Sequence, residues 1–358
     1  MASFGGAGAE EMGPPHMWPG VQERMDGFPF PQLSNCREQW VPTSTGRTMV
    51  IMYNGEEALV PQRSLNTSIF GEVLLGFKGN LRDLTGSRPH AGNSLPVAIK
   101  RSRLNRLRQP TAENVFREIA VMKDLASAPD EPHGCAYVMP LVAACLSNTD
   151  LYVVTPFCSG GDLLSKVTPD HGIEEPLAQT WFKQILIGVG YIHRQGLCHH
   201  DLSPENIVIT GDGTAAIVMD FGMVQRLDRD EAGEVVPRVD PHVFGKMKYA
   251  APEIFRRQEY DGRKTDIWSI GVTLLVCLAG EYPWDAPTTV PTRQHGSSAI
   301  LRYSFLAQHG PEYLLRMMSL DPPRLSESVI DLLCNLLVVT PANRPSSATE
   351  VANHHFFM

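Results

Sequence analysis

Five side chains in this sequence are of the types that manage phosphate, a divalent cation and a transferable proton. In VMDFGM (218–223) an apolar run ends in Asp220, at a tight turn that Gly222 permits. A carboxylate at a strand end suits Mg²⁺, which takes one or two carboxylates and keeps its other positions for phosphate and water. Asp201 and Asn206 share the stretch CHHDLSPENIVI (198–209), a loop leading into a short strand and a hairpin that returns to Asp220. A base, an amide oxygen and a carboxylate around one cavity are the equipment of phosphoryl transfer, which needs positioning and charge neutralisation more than covalent help. Lys100, on the alternating strand PVAIKRS, is the expected cation, and Glu118, on a helix eighteen residues further on, is its expected partner. Taken singly, either of these two reads better as an unrelated surface charge.

The elements that must position these groups change character along the chain. From about 46 to 157 short β-rich runs dominate: 48–53, 70–77, 96–101, 137–145 and 151–157. One helix interrupts them over 112–126, where Val115, Ile119, Met122 and Leu125 recur at helical spacing. A polar loop, KGNLRDLTGSRPHAGNS, separates the second and third runs. Beyond about 160 the pattern is helical, with helices predicted over 177–195, 264–279 and 327–337 and short strands at 206–209 and 216–219. This predicts an α+β, two-lobed architecture, with a β-rich N-lobe over 41–157 and a helical C-lobe over 158–358. Residues 1–40, rich in Gly, Pro and Met without periodicity, read as a flexible tail. Within it Trp18, Phe28, Phe30 and Trp40 are assigned to packing on the adjacent domain, in preference to docking on a partner.

Bulk properties exclude several classes. The 358 residues carry 31 Lys+Arg against 39 Asp+Glu, a net charge of −8, which argues against a chain that grips nucleic acid. Seven cysteines stand singly with no CxxC pair, so neither a zinc knuckle nor a redox dithiol is indicated, and reduced thiols in an intracellular protein are expected. The N-terminus shows no secretory pattern, and the longest apolar stretch, 270–279, is too short to span a bilayer. An intracellular location, cytoplasmic or nuclear, is expected.

The motifs in order resemble the eukaryotic protein kinase family, serine/threonine branch, over about residues 58–357. Val97-Ala98-Ile99-Lys100, Glu118, Asp201, Asn206, Asp220-Phe221-Gly222, Ala251-Pro252-Glu253, then Asp266, Trp268, Gly271 and Arg344 fall at family spacing. The resemblance implies ATP and Mg²⁺, with Asp201 as base, Asn206 and Asp220 as metal ligands, and Lys100 paired to Glu118. It also implies a Glu253–Arg344 brace, a column of Leu141, Met122, Phe221 and His199 resting on Asp266, and a protein substrate. Adenine would lie among Val73, Ala98 and Val208, edged by Thr155 and the backbones of Pro156 and Cys158, with Asp162 at the ribose.

Four departures qualify that picture. The phosphate-covering loop reads Asn66-Thr67-Ser68-Ile69-Phe70-Gly71-Glu72-Val73, in which Gly71 alone remains; Asn66, which tolerates left-handed geometry, and the small Ser68 leave close phosphate approach open but stiffer, so weaker nucleotide binding than the full motif gives is expected. His200 stands where the family has an arginine that receives an activation-loop phosphate. Residues 223–248 contain no Ser, Thr or Tyr, and together these two absences imply activity without phosphorylation of that segment. Its acidic residues Asp228, Asp230, Glu231 and Glu234 read as a solvated loop or as fixed charge for a basic partner. Ser203 occupies the position of a family lysine, and Lys246 that of a threonine, so Lys246 is a candidate to return the lost charge or else a solvated side chain. An active kinase, a catalytically silent scaffold and, more remotely, a small-molecule kinase all stay open, as does an unidentified regulatory partner.

Overall fold

The computed structural model describes residues 25, 27–43, 46–55, 57–81, 84, 94–107, 113–128, 134–240, 245–284 and 297–358. The chain divides into two compact units, Met1–Ala120 with Leu141–Phe157, and Val121–Pro140 with Cys158–Met358.

The first unit is built on strands β1 (Ser34–Asn35), β2 (Arg37–Thr43), β3 (Gly46–Asn54), β4 (Glu57–Thr67), β5 (Gly71–Asn80), β6 (Leu95–Arg103), β7 (Ala143–Leu146) and β8 (Asp150–Pro156). They form one eight-stranded sheet in the order β1-β7-β8-β6-β5-β4-β3-β2. After β6 come a single turn, α1 (Leu104–Leu107), and the helix α2 (Val115–Ala126). Alternation along β6 decides what faces where, because successive side chains point to opposite sides. Val97 and Ile99 join Ile51, Leu59, Leu74, Tyr152 and Val154 in one buried cluster. Ala98 and Lys100 therefore face the other way. In β4, Pro61 cannot donate to the ladder, and the register slips between Pro61 and Arg63.

Two expectations are corrected here. Residues 34–40 are not a flexible tail: β2 pairs antiparallel with β3 from Arg37↔Met52 to Thr43↔Gly46, and β1 pairs parallel with β7. A lone segment could not offset its ordering entropy, but a hairpin partner supplies its backbone bonds. Met25 and Phe28 are buried, whereas Trp40 is 66% exposed and does not pack as expected. Trp18, much of the 78–94 loop and Ala112 lie outside the described residues. Second, Val121–Pro140 groups with the second unit rather than the first.

The second unit is mainly helical: α3 (Glu175–Arg194), α4 (Pro252–Phe255), α5 (Gly262–Ala279), α6 (Ser297–His309), α7 (Pro311–Met317), α8 (Glu327–Leu336) and α9 (Ala348–Ala352). Helix α5 opens on Asp261, whose carboxylate accepts from Arg263 N, and closes on Gly280 in left-handed geometry. Nearly all of it is buried, which explains an apolar run without a polar face. Among the described residues four short strands complete the unit: β9 (Leu197–Cys198), β10 (Ile207–Ile209), β11 (Ala216–Val218) and β12 (Gln225–Arg226). Strand β10 pairs with β11, and β9 with β12, both antiparallel.

Candidate active site

In the first unit the sheet face opposite the cluster carries the candidate nucleotide groups. Val73 lies opposite Lys100, and Ala98 lies between Leu75 and Thr155, so Val73, Ala98, Lys100 and Thr155 share one side. Lys100 Nζ donates to Glu118 Oε2 at 2.8 Å and to Glu113 Oε1 at 3.1 Å. The second carboxylate was not legible in the sequence, because Glu113 belongs to no periodic apolar pattern; the helix predicted from 112 starts only at Val115, leaving Glu113 before its first turn. Asn114 caps α2, its Oδ1 accepting from Phe116 N at 3.0 Å and Arg117 N at 3.3 Å.

The degenerate loop between β4 and β5 is a closed hairpin. Ser68 N donates to Gly71 O at 3.0 Å, and Gly71 N donates to Ser68 O and Oγ. Asn66 lies within β4, paired with Val73, and its Oδ1 accepts from Thr67 N. A strand partner holds Asn66 extended, so the left-handed geometry that an asparagine tolerates is not used here. Gly71 has a reason unrelated to phosphate, since a Cβ there would sit 2.0 Å from the Arg101 carbonyl oxygen.

In the second unit the β10–β11 hairpin brings the metal-ligand candidates together. Ile207 pairs with Val218, and Met219 N donates to Asn206 O at 2.9 Å, so Asn206 and Asp220 flank the same end of the hairpin. Asn206 Nδ2 donates to Asp201 O and Asp201 Oδ2, each at 2.7 Å. That fixes the amide flip and turns Oδ1, the oxygen a cation would use, away from Asp201. Asp220 has φ 67°, a strained left-handed conformation for a residue other than glycine. Its Oδ1 accepts from Gly222 N at 3.3 Å.

Asp201 is held from several sides. Its Oδ1 accepts from Lys246 N at 3.0 Å, and Lys246 Nζ lies 3.4 Å from Oδ2 and donates to buried Ser203 Oγ at 2.8 Å. Gly245, which sequence reasoning missed, lets the two segments approach: at φ 67° its added Cβ would meet His200 O at 2.4 Å and Asp201 Oδ1 at 2.9 Å. His199 Nε2 faces the Met219 carbonyl at 3.1 Å and so carries the proton, leaving Nδ1 to accept from Asp201 N at 3.3 Å.

Beneath the loop, fully buried Asp266 accepts from His199 N and His200 N, both at 2.8 Å, with His193 Nε2 at 2.9 Å. Burial pushes this carboxyl upward, but the His193 hydrogen bond and the charges of the three histidines outweigh it and hold the group at about 2. Phe221 packs on His199 with ring centroids 5.6 Å apart. Further down, Arg344 grips Glu253 through Nη1–Oε1 at 2.6 Å and Nη2–Oε2 at 2.9 Å, both residues buried.

With this geometry in place, a model of the protein kinase domain matches residues 88–357. The chain belongs to the protein kinase family. This kinase is 33% identical over 204 residues to the serine/threonine-protein kinase CHK1 of Mycosarcoma maydis, covering 54% of this chain and 26% of that protein. It is 36% identical over 179 residues to the CBL-interacting serine/threonine-protein kinase 26 of Arabidopsis thaliana, covering 50% and 38%. To the serine/threonine-protein kinase SIK2 of Gallus gallus it is 32% identical over 284 residues, covering 77% and 33%. The matched region thus spans well under half the length of these relatives.

The segment that follows Asp220 is tied down by local contacts. Arg238 Nε lies 3.3 Å from Asp240 Oδ2 and 3.7 Å from Asp228 Oδ2. Tyr260 OH donates to Gln225 Oε1 and Asp240 Oδ2, and the backbones of Arg238 and Tyr260 exchange two bonds at 3.0 Å. Asp230 accepts from Ala232 N and Glu234 N, closing a local turn. Asp228 and Asp230 are therefore engaged locally, beyond the simple solvation expected for them. Among the described residues no helix is long and apolar enough to cross a membrane.

His200, wedged between Cys198 Sγ at 2.9 Å and the Tyr260 ring, titrates at about 4 because burial removes water from its charged form. Its folded value lies below the usual 6.5, so the unfolded chain takes the proton first. The contribution is complete above about pH 6.5 and is lost as pH falls toward about 4, amounting to about 3 kcal/mol in all. Denaturant titrations between pH 7 and 4.5 should show a shallower decline of stability for His200→Gln than for the parent chain. An identical slope would remove His200 from the account.

Proposed function

We propose that the chain transfers the terminal phosphoryl group of ATP to a serine or threonine hydroxyl of a protein substrate. The observation that carries this reading is the carboxylate of Asp201, fixed by Asn206 and Lys246 beside the β10–β11 hairpin that presents Asp220. Asp201 orients the attacking hydroxyl and accepts its proton. The oxygens of Asn206 and Asp220 are the set that would hold magnesium, which when bound neutralises phosphate charge. Lys100, kept in place by Glu118, binds the α and β phosphates. Val73, Ala98 and Thr155, on one side of the first unit's sheet, are assigned to adenine together with the Pro156 backbone. Asp162, whose Oδ1 caps Ser165 N at 2.7 Å, keeps its other oxygen for ribose. Serine/threonine choice is supported by the names of the relatives and by Pro204-Glu205-Asn206 after the base. Seven free cysteines support a reduced, intracellular setting, and the acidic balance disfavours nucleic acid.

The test is incubation of the purified chain with labelled ATP, magnesium and a mixed protein substrate, beside Asp201→Asn. Labelling that disappears in the variant supports the proposal. Thermal stabilisation by nucleotide without labelling would instead support a silent scaffold, the reading that the closed Ser68–Gly71 hairpin favours. Activity is further proposed to need no phosphate on the activation segment. Its lack of hydroxyl residues and the Arg238–Asp228–Asp240 ties support this, and phosphatase-treated enzyme should keep full turnover.

Lys246 is proposed to replace the cation that Ser203 cannot supply. Its ammonium sits on Ser203 Oγ and beside Asp201, where charge develops on the transferring group. Lys246→Met should lower kcat about a hundredfold, as loss of one such transition-state donor does, and leave KM for ATP within about threefold. Adding Ser203→Lys to Lys246→Thr should recover most of the loss. Unchanged kcat in Lys246→Met ends the idea.

A further inference from the structure

The first half of α2 has no exposed side. Residues 114–122 are all buried, yet one flank of this helix is open to solvent at Asp124 in its second half and at Ser127 just past its end. Phe116 and Ala120 lie on that same flank by helical spacing and are buried all the same. The cover at Phe116 is the segment before the sheet. Phe30 packs on Phe116 with ring centroids 5.0 Å apart. Asn114, the cap of α2, donates its amide to Met25 Sδ at 3.7 Å, and Met25 and Phe28 are 1% and 2% exposed. The segment is also anchored at its other end. Cys36 N donates to Leu146 O at 2.9 Å, Ser34 pairs with Cys145, and Cys36 enters the cluster of Tyr152 and Val154.

We propose that Met25 and residues 27–36 form a brace in cis, clamped between the sheet edge and the N-terminus of α2, that holds Glu118 where it pairs with Lys100. Glu118 lies one turn beyond Asn114, and its N–H donates to Asn114 O at 2.9 Å. Whatever fixes the cap and Phe116 therefore fixes the carboxylate that orients the ammonium at 2.8 Å. Phe30 and Met25 are positioning residues, acting through α2 without touching substrate. The consequence for turnover rests on the kinase reading above; the consequence for α2 does not.

The experiment compares the full chain with Met25→Ala/Phe30→Ala and with Phe30→Leu by amide hydrogen exchange and phosphoryl-transfer kinetics. In the double variant, exchange across 115–122 should quicken about tenfold, the upper end for losing one aromatic pair, while α3, α5 and strands β5 and β6 stay unchanged. Turnover should fall about tenfold, and Phe30→Leu, which keeps an apolar contact, should hold both readouts within about threefold of the parent. Unchanged exchange over 115–122 overturns the proposal. So does equal quickening in β5 and β6, which would make the segment ordinary core. If the parent chain transfers no phosphate, the kinase reading fails, while the exchange comparison still decides the brace.

Discussion

Asp201→Asn should lower phosphoryl transfer by about 10²–10⁴-fold, the range for removing a positioned general base. The substitution keeps the shape of the side chain but not its acceptor capacity. In the parent, Oδ1 accepts from Lys246 N, while Oδ2 accepts from Asn206 Nδ2 and lies 3.4 Å from Lys246 Nζ. An amide offers one oxygen and turns an NH₂ toward a second donor, so either the Lys246 backbone or Asn206 loses its partner. A stability cost of about 1–3 kcal/mol follows from that unsatisfied donor. Single-turnover rates with saturating nucleotide, beside nucleotide-induced shifts in Tm, separate the two effects. If chemistry is lost while nucleotide still stabilises the variant, Asp201 is the base. A turnover within tenfold of the parent would remove Asp201 from the chemistry.

Arg344→Ala should be the most destabilising single change in the second unit, at about 3–5 kcal/mol, because it strands the Glu253 carboxylate in the interior. The guanidinium also serves four backbone and side-chain partners besides that carboxylate contact: Nε donates to Val338 O, Nη1 to Lys264 O and Nη2 to Val339 O, and its plane lies 4.9 Å from the Trp268 ring. For a unit of this size the loss corresponds to a fall in Tm of about 6–20 °C. Glu253→Leu with Arg344→Met should recover only part of it, since three carbonyls remain without their donor. Full recovery in the double variant would show that the pair matters only through its mutual charge. Scanning calorimetry of the three chains decides between these outcomes.

How much of this was legible beforehand differs by element. Helices α3, α5 and α8 fall within two residues of where their apolar spacing put them, because burial of a helical face leaves its period in the sequence. Strand β4 escaped notice: only Ala58, Leu59 and Val60 are buried, the rest is mostly polar and half-buried or exposed, and Pro61 interrupts it, so no alternation could be read. Strands β1 and β2 escaped for a related reason. Their stability comes from pairing partners, β7 far along the chain for β1 and the adjoining hairpin strand β3 for β2, and not from their own composition.

The same division holds for the chemistry. The order of Lys100, Glu118, Asp201, Asn206 and Asp220 is a property of the sequence, as are the absence of hydroxyls from 223–248 and the exchange of charge between positions 203 and 246. The tertiary structure alone decided that the Lys246 ammonium rests on Ser203, that Glu113 joins Glu118 on Lys100, and that a segment read as a tail clasps α2. Residue type and spacing report which groups exist and how each stretch prefers to fold. Contacts between residues far apart in the chain arise only when packing brings their backbones together, and no local pattern records them.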